Sequence, residues 1–286
     1  MQGTPFFKKE IKKMEEYLTR LGYARETIKG YIINLNYFFK WLSSQNRKEI
    51  TQEKINQYNE YLHKKAIKRG TIQSRLNTIK LYDKYLQKVE NRKILTKELE
   101  IKETELERKP EILTQQEIQK LYQATENTIK GYLERAILAL YYGCGLRSKE
   151  GLKIELKDIN YENNLIHIKP GKNHRNRYIP MSKKVKTDLL NYVKYSRPYL
   201  INIITNKLLI NLRGRKIRSD NIRRIIKKLS EQANIEKKIT LHKLRHSIAT
   251  HLLEEGMQLE QIAQFLGHKS IETTQIYTHV HSKNEI

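Results

Sequence analysis

Apolar residues recur every three or four positions through most of the chain. Phe7, Ile11, Met14, Leu18 and Leu21 form one stripe, ended by Gly22, and Ile28, Tyr31, Ile32, Leu35, Phe38, Phe39 and Leu42 form a second. Ile55, Tyr58 and Leu62 follow a Thr51 cap, and Ile72, Leu76, Ile79, Tyr82 and Leu86 follow a Thr71 cap. The spacing predicts four short amphipathic helices gathered into a bundle, with Trp41 partly in its core. From Asn91 to Pro110 the periodicity stops in the charged run NRKILTKELEIKETELERKP, which reads as a linker. The pattern therefore divides the chain into a helical domain at 1–92, a linker at 93–112 and a second domain at 113–286.

The second domain opens with a capping box, Thr114 with Glu117, and a helix carrying Ile118 and Leu121. A longer helix with Ile129, Leu133, Ala136, Ile137, Leu140 and Tyr141 stops at Gly143-Cys144-Gly145. Between Glu155 and Met181 the period changes to that of strands. The runs IELKDINY, LIHIK and RYIPM predict a small antiparallel sheet of about three strands, with Lys172 in a hairpin turn. Helical spacing returns at Val185, Leu189 and Val193, and again from a Ser219 cap through Ile222, Ile226 and Leu229. Two more helices fill Ile239 to Leu266. The fold class is mainly α with a small antiparallel sheet.

Charge narrows the ligand. Over 286 residues the formal charge is +25, spread along the chain and not confined to a tail, which suits a polyanion. The polar faces of the bundle carry Lys29, Lys40, Lys64, Lys65, Lys68, Arg69, Arg75 and Lys80, placed for phosphate contacts. No apolar run approaches the roughly 20 residues that span a bilayer, so a membrane partner is not expected. The single cysteine, Cys144, excludes an internal disulfide framework, and a cytoplasmic setting fits best.

The candidate chemistry lies near helix boundaries. Arg147 follows a glycine-broken helix, and Glu150 is near enough to hold it by a charge-assisted bond. His242 and Arg245 share one face at a helix start, where free backbone N–H groups make a small phosphate site. Taken alone, this pair reads more readily as a capping histidine and a surface arginine. His242 and His246 have the spacing of a zinc helix, but residue 243 is Lys where such helices carry a catalytic Glu. Tyr277, one of 18 tyrosines, is marked only by its place in a short segment after Gly267-His268.

Together these segments resemble a known family. HKLRHSIATHLL and FLGHKSIETTQIYTHV closely resemble the C-terminal signature of the tyrosine recombinases, the lambda-integrase-like and Xer-like site-specific recombinases. GCGLRSKEGLKI resembles the family's first arginine box, and IKPGKNHRNRYIPM its β-hairpin lysine motif. The resemblance implies an N-terminal core-binding (SAM-like) domain and an α/β catalytic domain that close as a C-shaped clamp on double-stranded DNA. Tyr277 is then the nucleophile that forms a 3′-phosphotyrosyl bond, Arg147 and Arg245 hold the non-bridging oxygens, and Lys172 protonates the leaving 5′ oxygen. His242 handles the nucleophile's proton or bonds the phosphate, His268 orients the site, and Glu150 buttresses Arg147. Because Asn173 and Arg175 depart from the usual hairpin residues, Lys169 stays open as an alternative acid.

The implied chemistry requires no cofactor and no metal. The resemblance also implies a homotetramer acting on two DNA sites through a Holliday junction, with room for accessory proteins. Two other readings stay open: a type IB topoisomerase-like enzyme with the same cleavage chemistry, and a non-catalytic DNA-binding protein.

Overall fold

Four helices make the first unit: α1 (Pro5–Arg20), α2 (Arg25–Ser44), α3 (Gln52–Lys64) and α4 (Arg69–Glu90). The computed structural model describes residues 5–45, 49–65, 67–95, 111–169, 176–200 and 205–267, and the chain divides into units Met1–Leu106 and Glu107–Ile286. The apolar stripes of all four helices face one another. Met14, Leu18, Leu35, Phe38, Leu42, Ile55, Leu62, Leu76 and Leu86 are fully buried. Aromatic rings fill the middle: Phe38 meets Tyr58 edge-on at 5.0 Å, and Phe39 meets Tyr82 at 5.6 Å. Such contacts add roughly 0.5–1.5 kcal/mol each beyond their buried area. Trp41 is 9% exposed and belongs to the same cluster.

Thr51 caps α3 by accepting from the Lys54 N–H. The cap expected at Thr71 is displaced. The Lys68 carbonyl already accepts from Thr71 N and Ile72 N, so the first turn begins three residues earlier and Thr71 lies inside it. The bundle also extends beyond α4. One carboxylate oxygen of Asp83 accepts from the backbone N–H groups of Ile94 (2.8 Å) and Leu95 (3.1 Å), drawing both side chains into the core where the charged run predicts linker.

The second unit begins with α5 (Gln115–Gln123), whose capping box at Thr114 and Glu117 is formed in both directions. α6 (Ile129–Leu138) continues into a π-helical turn, Ala139–Gly143. A short α7 (Ser148–Gly151) follows, then the sheet of β1 (Ile159–Asn160), β2 (Leu165–Ile168) and β3 (Arg177–Pro180). The strands run β1-β2-β3, both pairs antiparallel, with Ile159 opposite Ile166 and Ile166 opposite Ile179. β1 is shorter than the run IELKDINY predicts. Asp158 accepts from the Glu155 N–H at 2.9 Å and bends Leu156–Asp158 into a 3-10 turn.

Helices α8 (Lys183–Tyr195), α9 (Arg197–Leu200), α10 (Ser219–Gln232), α11 (Leu241–Glu254) and α12 (Leu259–Leu266) complete the unit. α8 packs along α6, and Leu133, Ile137, Leu189, Ile222 and Leu244 meet in one core. The expected cap Ser219 is the first helical residue of α10. Arg218 provides the capping carbonyl, and the Ser219 hydroxyl lies 3.0 Å from that of Ser148. No helix among the described residues is long and apolar enough to cross a membrane.

Candidate active site

Arg147 owes its place to the turn that precedes it. Gly145 adopts φ +57°, and a Cβ there would lie 2.8 Å from Leu266 Cδ2, so both conformation and space require glycine. The reversed chain then enters α7 with Arg147 extended as its N-cap. Glu150, three residues on, reaches back. Its Oε2 accepts from the Arg147 N–H and its Oε1 from Arg147 Nη1, both at 2.9 Å.

A second arginine grips the same carboxylate from β3. Arg177 donates Nη1 to Oε1 (3.0 Å) and Nη2 to Oε2 (2.9 Å), a bidentate fork. A third, Arg245 on α11, brings Nη1 to 3.9 Å from Oε2. Burial alone would raise the Glu150 carboxyl. The hydrogen bonds and charge of Arg177, and then the bonds from Arg147, outweigh it and hold the pKa at about 2.

The same three guanidinium groups meet the C-terminal end of α12. Arg177 Nε donates to the Phe265 carbonyl (3.2 Å), Arg245 Nη2 to that of Leu266 (2.7 Å) and Arg147 Nη2 to that of Gly267 (2.8 Å). The last carbonyls of a helix lack intrahelical partners and carry the negative end of its dipole, so cations are drawn there. Arg245, 3% exposed, also donates Nη1 to the Gly145 carbonyl at 2.6 Å. The glycine turn, α11 and the end of α12 are thereby tied at one buried point, while the Arg147 side chain stays 29% exposed beside it.

At the start of α11, capped by Thr240, His242 and His246 face each other with Nε2 atoms 2.7 Å apart. One nitrogen donates and the other accepts. Two histidines on one tetrahedral zinc would hold their nitrogens roughly 3.3 Å apart, so the spacing is that of a hydrogen bond. Desolvation, then the charge of Arg245 and of Arg147, lowers the His242 pKa. Desolvation, then His242 and Arg245, pushes His246 down to about 4.

Arg147, Glu150 and Arg245 are thus gathered around the end of α12, and His242 feels the charge of Arg245 and Arg147 from the start of α11. Lys172, His268 and Tyr277 lie outside the described residues. Lys169 is engaged elsewhere: its Nζ is 3.0 Å from Glu155 Oε2 and 3.0 Å from Asp158 Oδ1, and the Asp158 and Glu155 bonds raise its pKa. Arg177 is absent from the residues that motif reasoning selects. Its signal is its register, since it stands two positions before buried Ile179 and opposite buried Ile168, on the inward side of its strand.

With this geometry in place, the relatives become informative. The phage integrase family model matches residues 111–284, and the SAM-like N-terminal domain of phage integrases matches residues 11–91. The chain belongs to the phage integrase family. A tyrosine recombinase XerD of Staphylococcus saprophyticus is 33% identical over 286 residues, covering 96% of this chain and 95% of that protein. A tyrosine recombinase XerC of Oceanobacillus iheyensis is 30% identical over 264 residues, covering 89% and 85%. Among solved structures, the XerA recombinase shares 26% identity with a TM-score of 0.54, covering 98% of this chain and 99% of that one. XerH bound to its palindromic difH substrate in a post-cleavage complex shares the fold, at 20% identity and a TM-score of 0.77, covering 96% and 82%. This phage integrase family member is a site-specific recombinase of the tyrosine type.

Proposed function

We propose that this recombinase cuts and rejoins double-stranded DNA through a transient 3′-phosphotyrosyl bond to Tyr277. The phenolic oxygen attacks the scissile phosphorus, the phosphorus bond to the 5′ oxygen breaks, and that oxygen leaves with a proton from Lys172. His242 takes the phenol's proton, a task suited to an imidazole whose pKa is lowered by desolvation and then by its arginine neighbours. Arg147 and Arg245 stabilise the charge that builds on the non-bridging oxygens, which guanidinium groups do without a metal. His268 orients the site, and Glu150 fixes Arg147. Resealing reverses the steps, because the phosphotyrosine retains the phosphodiester's energy, and no cofactor enters.

The observation that carries this reading is the convergence of Arg147, Arg177 and Arg245 on a single carboxylate, which leaves positive charge in excess beside a partly exposed guanidinium. Lys172 is preferred to Lys169 as the acid because Lys169 is held by two carboxylates that oppose its deprotonation. The helical domain at 1–92 would supply further phosphate contacts, and the domain at 113–286 the chemistry, in a cytoplasmic setting. A homotetramer on two sites, passing through a Holliday junction, fits the recombinase class. Relatives that match along nearly the whole chain are recombinases, which favours neither the topoisomerase-like nor the non-catalytic reading.

Incubating the protein in EDTA with nicked duplexes drawn from its source genome tests the proposal. A covalent protein–DNA adduct is expected, its phosphate mapping by mass spectrometry to Tyr277. An adduct on another residue, or cleavage abolished by chelation, would overturn it.

A further inference from the structure

β3 turns a charged residue inward. The Arg177 side chain is only 9% exposed, and a guanidinium in such a place requires partners for its donors. Arg177 has them in two directions: both Nη atoms bind Glu150, and Nε binds the Phe265 carbonyl in the last turn of α12. Its plane also fills the space beside Gly267. A Cβ there would lie 2.8 Å from Nη1 and 2.9 Å from Cζ and Nε, and the backbone at Gly267 has φ +67°. Glycine and guanidinium therefore fit each other, and the next residue in the chain is His268.

We propose that Arg177 is a positioning residue for strand cleavage. It fastens Glu150, and through Glu150 the Arg147 guanidinium, to the end of α12, so that the helix ends at one fixed point, Gly267. A lysine cannot substitute. Its single ammonium lacks the planar fork that reaches two carboxylate oxygens and a carbonyl together. The same residue begins β3, so the hairpin strand, the arginine box and the end of α12 share one joint. For its effect on cleavage the inference rests on the phosphotyrosyl reading; for its effect on the protein alone it does not.

Two measurements on full-length wild type, R177A, R177K, E150Q and the R177A/E150Q double variant test it. In the absence of DNA, amide hydrogen exchange in the peptide covering Phe265–Ser270 should accelerate at least about tenfold in R177A, with exchange in α6 unchanged. On nicked duplex, R177A should form adduct about 100-fold more slowly at saturating DNA, the scale of a roughly 1 Å misplacement, while DNA affinity stays within about threefold. The double variant should be no slower than the slower single variant, because both changes open the same joint. R177K should share the defect, and it carries the test if R177A loses cooperative melting.

R177K at the wild-type rate, losses that multiply in the double variant, or unchanged exchange at Phe265–Ser270 would overturn the proposal. A wild type that forms no adduct, with exchange still accelerated in R177A, would count against the phosphotyrosyl reading and leave the joint standing.

Discussion

Glu10 in the helical bundle and Glu150 in the second unit are both buried carboxylates that tie distant elements together, yet the charge around them differs in sign. Glu10 accepts from the Tyr82 hydroxyl at 3.1 Å and pairs with Lys13 at 3.2 Å, and Lys13 also binds Glu90 at 2.9 Å. One cation serves two carboxylates. Glu150 has Arg147, Arg177 and Arg245 within 4 Å of its oxygens, so three cations face one carboxylate. The cluster of Lys157, Lys169 and Lys207 with Glu155 and Asp158 lies between these cases, with three cations and two anions. An ion cluster whose only task is structural has reason to balance its charge, because unpaired charge out of water is costly. A surplus beside a partly exposed arginine is what an anionic substrate would neutralise.

The largest effect is expected from removing the most buried of the three cations. Arg245→Ala deprives the Gly145 and Leu266 carbonyls of their donors, and adduct formation should fall by at least about 1,000-fold on this account. Melting should also show a loss of about 2–3 kcal/mol from the two orphaned acceptors. A variant that melts earlier but cleaves normally would make the cluster structural, like that at Glu10.

A smaller effect follows from acid. The folded Glu150 pKa, about 2, lies below its ordinary value of 4.5, so the stabilisation is complete above 4.5 and is lost as pH falls toward 2. The melting temperature of the wild type should therefore drop more steeply across that window than that of E150Q. Parallel curves would mean that the arginines do not depend on the carboxylate's charge.

Smallest is the change in the bundle. Glu10→Gln should cost about 1 kcal/mol or less, the usual worth of a partly exposed pair, and leave the cleavage rate per folded molecule unaltered. A rate that falls with it would join the two carboxylates in one function.

The same contrast explains what sequence can and cannot disclose. Helices whose cores need only alternation of apolar and polar faces are legible from spacing, as Leu35, Phe38 and Leu42 illustrate, and so are local bonds such as Thr114 with Glu117 or Arg147 with Glu150. Caps fail where a neighbouring carbonyl starts the turn first, as at Lys68 and Arg218. The linker shortens because Asp83 captures Ile94 and Leu95 across a turn that periodicity does not record. Arg177 illustrates the hardest class. It joins Glu150 from 27 residues away and Phe265 from 88, and only its inward register in a strand betrays a buried partner.

In the proposed chemistry, surplus positive charge at Arg147 and Arg245 answers the charge of a scissile phosphate. The most direct measurement compares wild type and Arg147→Ala on nicked duplexes carrying either a normal phosphate or a methylphosphonate at the cleavage position. A methyl group there removes one charged oxygen while leaving the phosphorus open to attack. On the normal phosphate the variant should form adduct at least about 1,000-fold more slowly than wild type, and on the methylphosphonate that gap should shrink to about tenfold. An equal deficit on both duplexes would mean that Arg147 shapes the site without neutralising its substrate, contradicting the account.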